Sequence, residues 1–522
     1  MLDWGMVAAP SSAPVERPPL ARGPLLGLLA ATVALHLTAI TRYGWFRDEL
    51  YYLSCAKRLA WGYVDQPPLS IALLAVWRAA FGATLAGVRV PALIVGLVTI
   101  LVTMQLARAL GGGRWAQFLA GLCVVTSPIH RAITHYYSMN VIDMLAWPLA
   151  GLALIRALRR GHPLDWGALG LVLGLGLLNK LSMVWCAGGL AIGLLVTPLR
   201  TRLATAGPWL AAAVAAAIFS PHLVWQVEHG WPTLEWIRNA TAHKMLSVSL
   251  AGFALNQLLL ANPLAAPVWI TGLVSALRGR RGSEGRVFGV QYVAVFVLLV
   301  VSRSVRVEYL APTYATLFAL GAVALERMTV SPSRAPWRPA LAVLPILGLA
   351  LLLPLVLPVL PVGQFLRFQS ALGMRPHTEE RHAMGQLPQH YADMFGWPEI
   401  EAGVARACAT LTSVERAHAV IYVHNYGEAG AIELLGERDR LPPVICGHNN
   451  WWLWGLGRAD GRVIVVVGAV HADEVRDFQS YTAVDTVGHP LAMPYERDLE
   501  VGVGRGLRFP IAPLWPRMKD FN

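Results

Sequence analysis

Charge is scarce in this chain. Asp, Glu, Lys and Arg make up 14% of its 522 residues, too little to cover the surface of a soluble protein of that length. Nucleotide-binding signatures are missing as well. No Gly-x-x-x-x-Gly-Lys-Ser/Thr loop occurs, no Gly-x-Gly-x-x-Gly opens a helix, and Asp-x-Asp is absent. Without a loop of this kind to cradle phosphates, a nucleotide substrate is disfavoured. Cysteine is sparse: Cys55, Cys123, Cys186, Cys408 and Cys446, with no Cys-x-x-Cys spacing. That argues against a structural zinc site. Cys408 and Cys446 share the polar C-terminal region and could pair there if it faces an oxidising compartment. No internal repeat of fixed period is present.

What the chain does have is apolar length. It is 55% hydrophobic, with a mean hydropathy of +0.50. Apolar runs fall at 25–41, 88–108, 115–130, 141–158, 166–178, 183–198, 203–225, 252–276, 288–302, 309–326 and 338–360. Measured against the roughly twenty residues that cross a bilayer, this predicts about eleven membrane helices, several short or tilted. The Arg residues alternate with them. Arg17 and Arg22 precede the first run, and Arg108, Arg114, Arg156, Arg159, Arg160, Arg200, Arg202, Arg278, Arg280, Arg281, Arg286, Arg327, Arg334 and Arg338 sit in alternate loops. Strict alternation puts all of them on one side, which the positive-inside rule names cytoplasmic. The formal net charge of +12 therefore reads as membrane orientation, not as nucleic-acid binding. Anionic lipid or phosphate partners stay compatible with it. The expected organisation is a cytoplasmic tail over 1–24, a membrane domain over 25–360 and an extracytoplasmic domain over 361–522. The Pro- and Ser-rich start is followed by no small-residue cleavage site, so the first run is read as a retained span.

On this topology the loop 43–87 lies outside. It carries Arg47, Asp48 and Glu49 among Trp45, Phe46, Tyr51 and Tyr52, then Gln66-Pro67-Pro68. Aromatic residues favour the water–lipid boundary, and a carboxylate there can serve a substrate whose tail stays in the bilayer. Acids at a helix start are also favoured by the macrodipole alone. Leu50–Leu59 and Leu69–Phe81 read as short interfacial helices. Past Pro361 the composition changes. Helices are expected over 389–409, 428–435 and 472–478, and buried strands over 419–424 and 462–467, giving a small α/β domain. Asn425–Gly430 follows a strand, where ligands often bind. Cys446–Trp454, with three tryptophans, suits either a sugar-contacting loop or an interface with the membrane domain.

An acidic pair after the first span and a Pro-Pro turn some twenty residues on make the membrane part, about Leu25 to Glu326, resemble the membrane glycosyltransferases of family 39. That family includes the protein O-mannosyltransferases and lipid A aminoarabinose transferases. The resemblance implies a mainly α, polytopic GT-C fold and a polyprenyl-monophosphate sugar donor. The sugar would pass to an acceptor hydroxyl or amine with inversion at the anomeric carbon. It implies Asp48 as general base, with Glu49 positioning it or helping hold a divalent cation. Asp143 matches a family acid that binds sugar hydroxyls or a cation, so Asp48, Glu49 and Asp143 are the candidate metal ligands. Tyr309, in Glu308-Tyr-Leu-Ala-Pro312, matches a motif that approaches the lipid phosphate. Arg47, Lys180, Arg303 and Arg306 are candidates for pairing that phosphate. Where the aminoarabinose transferases place a lysine before Pro-Pro, this chain has Gln66, so charge neutralisation falls to other residues or the donor head group differs. The alternative is a transporter or flippase of lipid-linked glycans. It should show paired halves with broken spans at matching positions, and the sequence shows none.

Overall fold

A computed structural model describes residues 18–522 except 280–282, 303–305, 377, 379, 437–440 and 469–474. The predicted arginine at 303 and residues 472–474 of the helix expected over 472–478 lie outside the described residues. Phe478 itself opens a strand.

Each of the eleven apolar stretches is helical. Six helices are long and apolar enough to cross a membrane, or up to eight if each of two bent pairs is one span. Among the described residues this falls short of the eleven expected. Arg22–Leu37 and Pro163–Asn179 are apolar but short, and the run at 252–276 bends by 87° where Pro263 follows Ala261 and Asn262. Proline removes the N–H that would continue the ladder. Val307–Met328 is the inner helix, with 83% of its apolar window buried, whereas only 17% of the Trp337–Val356 window is. The latter leaves its side chains to lipid.

The helix Leu85–Ala109 fixes the two ends of the bundle. Arg89 near its start reaches the first loop, and Arg108 near its end bonds the Pro18 carbonyl. The nineteen intervening steps span roughly 28 Å. Arg159 bonds the Ala109 carbonyl, Arg202 the Leu158 carbonyl and Arg327 the Leu110 carbonyl. The arginine-bearing loops thus gather at the end opposite the first loop, as the alternating pattern requires.

The C-terminal region holds one five-stranded sheet: β1 (Ala419–Val423), β2 (Val444–Cys446), β3 (Val463–Val467), β4 (Phe478–Val487) and β5 (Leu499–Leu507), in the order β2-β1-β3-β5-β4. β1 runs parallel to β2 and β3; β5 is antiparallel to β3 and β4. The helix expected over 389–409 is interrupted at Gly396 (φ +101°) and restarts as Trp397–Ala409. The helix expected from 428 begins at Tyr426, because the Asn425 side chain accepts from the N–H groups of Gly427 and Glu428. The conditional Cys408–Cys446 pairing does not form. All five cysteines are free and buried, with Cys446 inside β2 and Cys408 on the helix Trp397–Ala409.

Candidate active site

The first loop turns sharply at Tyr43 (φ +67°) and Gly44 (φ +103°). A Cβ on Gly44 would lie 2.8 Å from the Met394 carbonyl oxygen, so only glycine lets the loop and the C-terminal region meet there. The helix Arg47–Ala56 follows. Neighbouring residues on a helix point about 100° apart, and the two acids part accordingly. Glu49 turns inward and is wholly buried. It accepts Arg89 Nε at 3.0 Å and Nη2 at 3.0 Å, and the backbone N–H groups of Phe46 at 3.0 Å and Tyr137 at 3.2 Å. Both oxygens are occupied by structure. Asp48 turns the other way, is half-buried, and accepts the Tyr426 hydroxyl at 3.1 Å on Oδ1.

Arg47 and Arg306 are each tied to an acid of the C-terminal region. Arg47 bonds the Tyr495 hydroxyl (2.7 Å), pairs with Asp393 at 4.0 Å and lies over the Tyr426 ring. Arg306 pairs with Glu380 and, at 3.6 Å, with Glu308. Lys244 sits where its backbone carbonyl accepts the Arg381 N–H, next to the Met245–Glu380 bridge. Arg306 and Lys244 are both within electrostatic reach of Asp48. Burial pushes Lys244 below its ordinary range, opposed by Glu380. Burial would raise Glu380, but Arg306 foremost, then Lys244 and Arg47, hold it down to about 2. Burial pushes Asp393 up to about 6 against the pull of Arg47. Asp65 also rises to about 6 by burial, although the Tyr51 hydroxyl donates to it at 2.9 Å.

A second group lies at the mouths of the spans. Lys180 Nζ donates to Asn140 Oδ1 at 2.7 Å, stands 3.7 Å from Asp143 Oδ2 and lies over the Tyr309 ring at 4.8 Å. Asp143 also accepts from Trp147 Nε1 (3.0 Å) and Ser182 Oγ (2.8 Å). The structure therefore places Asp48 and Arg47 on the shared Tyr426 side chain, Arg306 on Glu380 and Glu308, and brings Asp143, Lys180 and Tyr309 together. Gln66 joins none of these: it is fully buried with both amide atoms unpartnered. Glu49 and Asp143 spend their oxygens on separate partners, so Asp48, Glu49 and Asp143 do not converge as one cation cage. Among the described residues no three His, Cys, Asp or Glu side chains form a metal-holding group.

Sequence reasoning missed Lys244, Asp65, Glu380, Asp393, Tyr426 and Tyr495 as part of this site. Tyr426 lies in the Asn425–Gly430 stretch already noted after β1; the others carry no local signature. Cys446–Trp454 packs as an interface: Asn450 Oδ1 accepts the Val64 N–H at 2.7 Å, and Arg58 lies over Trp451 and Trp454. His222 and Trp225 brace the same loop, His222 bonding the Trp61 carbonyl.

Residues 65–225 match the family described as dolichyl-phosphate-mannose-protein mannosyltransferase. The chain is 24% identical over 268 residues to a lipid A galacturonosyltransferase (RgtD) of Rhizobium johnstonii, covering 51% of this chain and 56% of that protein. It is 25% identical over 175 residues to an undecaprenyl phosphate-alpha-4-amino-4-deoxy-L-arabinose arabinosyl transferase of Pseudomonas aeruginosa, covering 30% and 32%. The matches thus span about half or less of these curated relatives. Among solved structures, ArnT from Cupriavidus metallidurans superposes with a TM-score of 0.62 in the apo state and 0.61 bound to undecaprenyl phosphate. Identity is 18% in both, over 93% and 92% of this chain and 98% of that one. The arabinofuranosyltransferase AftD from Mycobacteria gives 0.54 at 16% identity, over 94% of this chain and 40% of that one. Residues 65–225 are thus similar to that family, the chain as a whole shares its fold with ArnT, and its apolar helices are those of a multi-pass membrane protein.

Proposed function

We propose that this family-39-like chain is an integral membrane glycosyltransferase. It moves a sugar from a polyprenyl-monophosphate donor to an acceptor on the extracytoplasmic side. The observation that carries the reading is the split fate of the acidic pair: Glu49 is closed off by Arg89, while Asp48 stands half-buried with the Tyr426 hydroxyl on one oxygen and Arg47 over the same ring. The first acid is left available for chemistry and the second holds the helix that presents it.

In the reaction, the acceptor O–H or N–H gives its proton to Asp48 as the acceptor atom attacks the anomeric carbon. The bond from that carbon to the phosphate oxygen breaks, and polyprenyl phosphate leaves. Arg306 and Lys244 meet the phosphate charge, which supplies the neutralisation that Gln66 does not. Tyr309 and Lys180 lie toward the membrane, where the lipid end of the donor enters. The donor stores the energy, so no nucleotide is consumed. The relative named a lipid A galacturonosyltransferase supports a lipid acceptor class, and the relative named for an undecaprenyl phosphate sugar and the neighbour bound to undecaprenyl phosphate support the donor class.

The test uses purified protein with a panel of radiolabelled undecaprenyl-phosphate sugars and acceptor lipid, following release of the lipid phosphate. Asp48→Asn should slow release by roughly 10²–10⁴-fold while leaving the protein folded. Undiminished turnover in that variant removes Asp48 from the mechanism, and movement of intact donor across the bilayer without cleavage would favour a carrier.

A further inference from the structure

The C-terminal domain places a side chain on the proposed base. Tyr426 opens the helix Tyr426–Leu435, and its hydroxyl donates to Asp48 Oδ1 at 3.1 Å. The ring is held on three sides, by Tyr51 at 4.8 Å, His448 at 4.7 Å and the Arg47 guanidinium at 5.1 Å. Glycines let this helix press directly on the helix Arg47–Ala56. A Cβ on Gly430 would stand 2.8 Å from the Leu50 carbonyl carbon, and one on Gly427 would stand 2.6 Å from Arg47 Cγ. The approach is pinned from other elements too: Trp397 Nε1 donates to the Trp45 carbonyl at 3.0 Å, and Glu433 pairs with Arg58 at 2.6 Å. Burial keeps the Tyr426 phenol well above its ordinary range, so it remains a donor.

Resting on the base reading above, we propose that Tyr426 is a positioning residue for Asp48. By binding Oδ1 it fixes the carboxylate and leaves the second oxygen to the acceptor, which makes the C-terminal domain half of the catalytic site. Tyr426 itself transfers no proton. Its ring also sets the face of Arg47, so the domain governs both the acid and a flanking cation. The task of the domain, for which the sequence offers no motif, is then to hold the base still. Preorganisation of this kind matters because small misplacements of a catalytic group are costly in rate.

The experiment is Tyr426→Phe in the full-length protein, assayed with the radiolabelled undecaprenyl-phosphate sugar that the wild type turns over. Loss of one hydrogen bond to a charged acceptor should lower kcat roughly 10- to 100-fold, with donor KM held within about 2-fold. In the Asp48→Asn background the same change should cost nothing further. Glu433→Gln loosens the same interface without touching Asp48; it should lower the melting temperature and keep kcat. An unchanged kcat in Tyr426→Phe overturns the proposal, as does an effect confined to KM or an equal kcat loss in Glu433→Gln. If Asp48→Asn stays active, the base reading itself fails. If Asp48→Asn is dead and Tyr426→Phe is normal, only the role of Tyr426 fails.

Discussion

Two neighbouring acids should give opposite phenotypes. Glu49→Gln preserves shape but removes the counter-charge of Arg89, which is fully buried and binds Glu49 through Nε and Nη2. Arg89 keeps its bonds to the Ile40 and Gly44 carbonyls, but these do not neutralise it. Removing one partner of a buried ion pair costs about 3–5 kcal/mol, because the other is left charged and unpaired. Part of the loss falls on the helix start, where Glu49 accepts the Phe46 N–H. Melting of the detergent-solubilised protein, followed by monodispersity after heating, should therefore drop by several degrees, at roughly 2–4 °C per kcal/mol or less in a chain of this size. Turnover per folded molecule, measured well below that transition, should stay within a few-fold of wild type. Asp48→Asn should do the reverse: the melting point holds, and kcat falls by roughly 10²–10⁴, the usual range for a general base. If Glu49→Gln melts like wild type and is inactive, the assignment of roles within the pair is wrong.

Three further outcomes follow from other parts of the molecule. Glu380, held down to about 2 against an ordinary 4.5, contributes stability that is complete above pH 4.5 and is lost as pH falls toward 2; Glu380→Gln should flatten the melting-temperature profile across that window, and parallel profiles would contradict the pairing with Arg306. Gly430→Val forces a branched side chain into the Leu50 backbone, so it should expose the C-terminal domain to limited proteolysis, whereas wild-type resistance would mean the two helices are not in contact. Because all native cysteines are buried, Trp61→Cys and Ser331→Cys give clean topology probes at exposed sites. An impermeant maleimide applied to intact cells should label the first and spare the second, and the opposite pattern would invert the membrane orientation.

The fold was legible wherever a segment is buried on all sides. β3, Val463–Val467, is buried at every position and reads as an unbroken apolar run, as does β1. β4 hid because its exposed positions interrupt any apolar run. β5 hid because Leu499–Leu507 contains Gly502, Gly504 and Gly506, and glycine is depleted in strands. The structure gives two of those glycines a packing reason. A Cβ on Gly502 would stand 2.0 Å from the Tyr481 hydroxyl, and one on Gly504 would stand 2.4 Å from the Phe478 ring. Both aromatic residues lie on β4, so the bare strand and the bulky strand complement each other, a relation that no single segment reveals.

The site divides along the same line. Asp48 stands out in the sequence because an acid beside a membrane helix end is costly without a purpose, and the role we propose for it starts from that. Arg89 should have carried the same message: an arginine in Gly87-Val-Arg-Val-Pro91 must have a buried partner, and the acid left over after Asp48 is assigned to chemistry is Glu49. Pairing them from sequence would have separated the roles of the two acids without coordinates. Tyr426 had no such handle. It is 378 positions from Asp48, and its neutral hydroxyl creates no electrostatic demand that a reader could trace. The cations show the intermediate case. Gln66 marks a missing charge in the sequence but not where its replacement lies; Lys244, which we propose for that task, precedes the residue that bridges to Glu380 in the C-terminal region. Charge imbalance is thus readable in one dimension, whereas the neutral contacts that hold a charged group in place become visible only once the domains are docked.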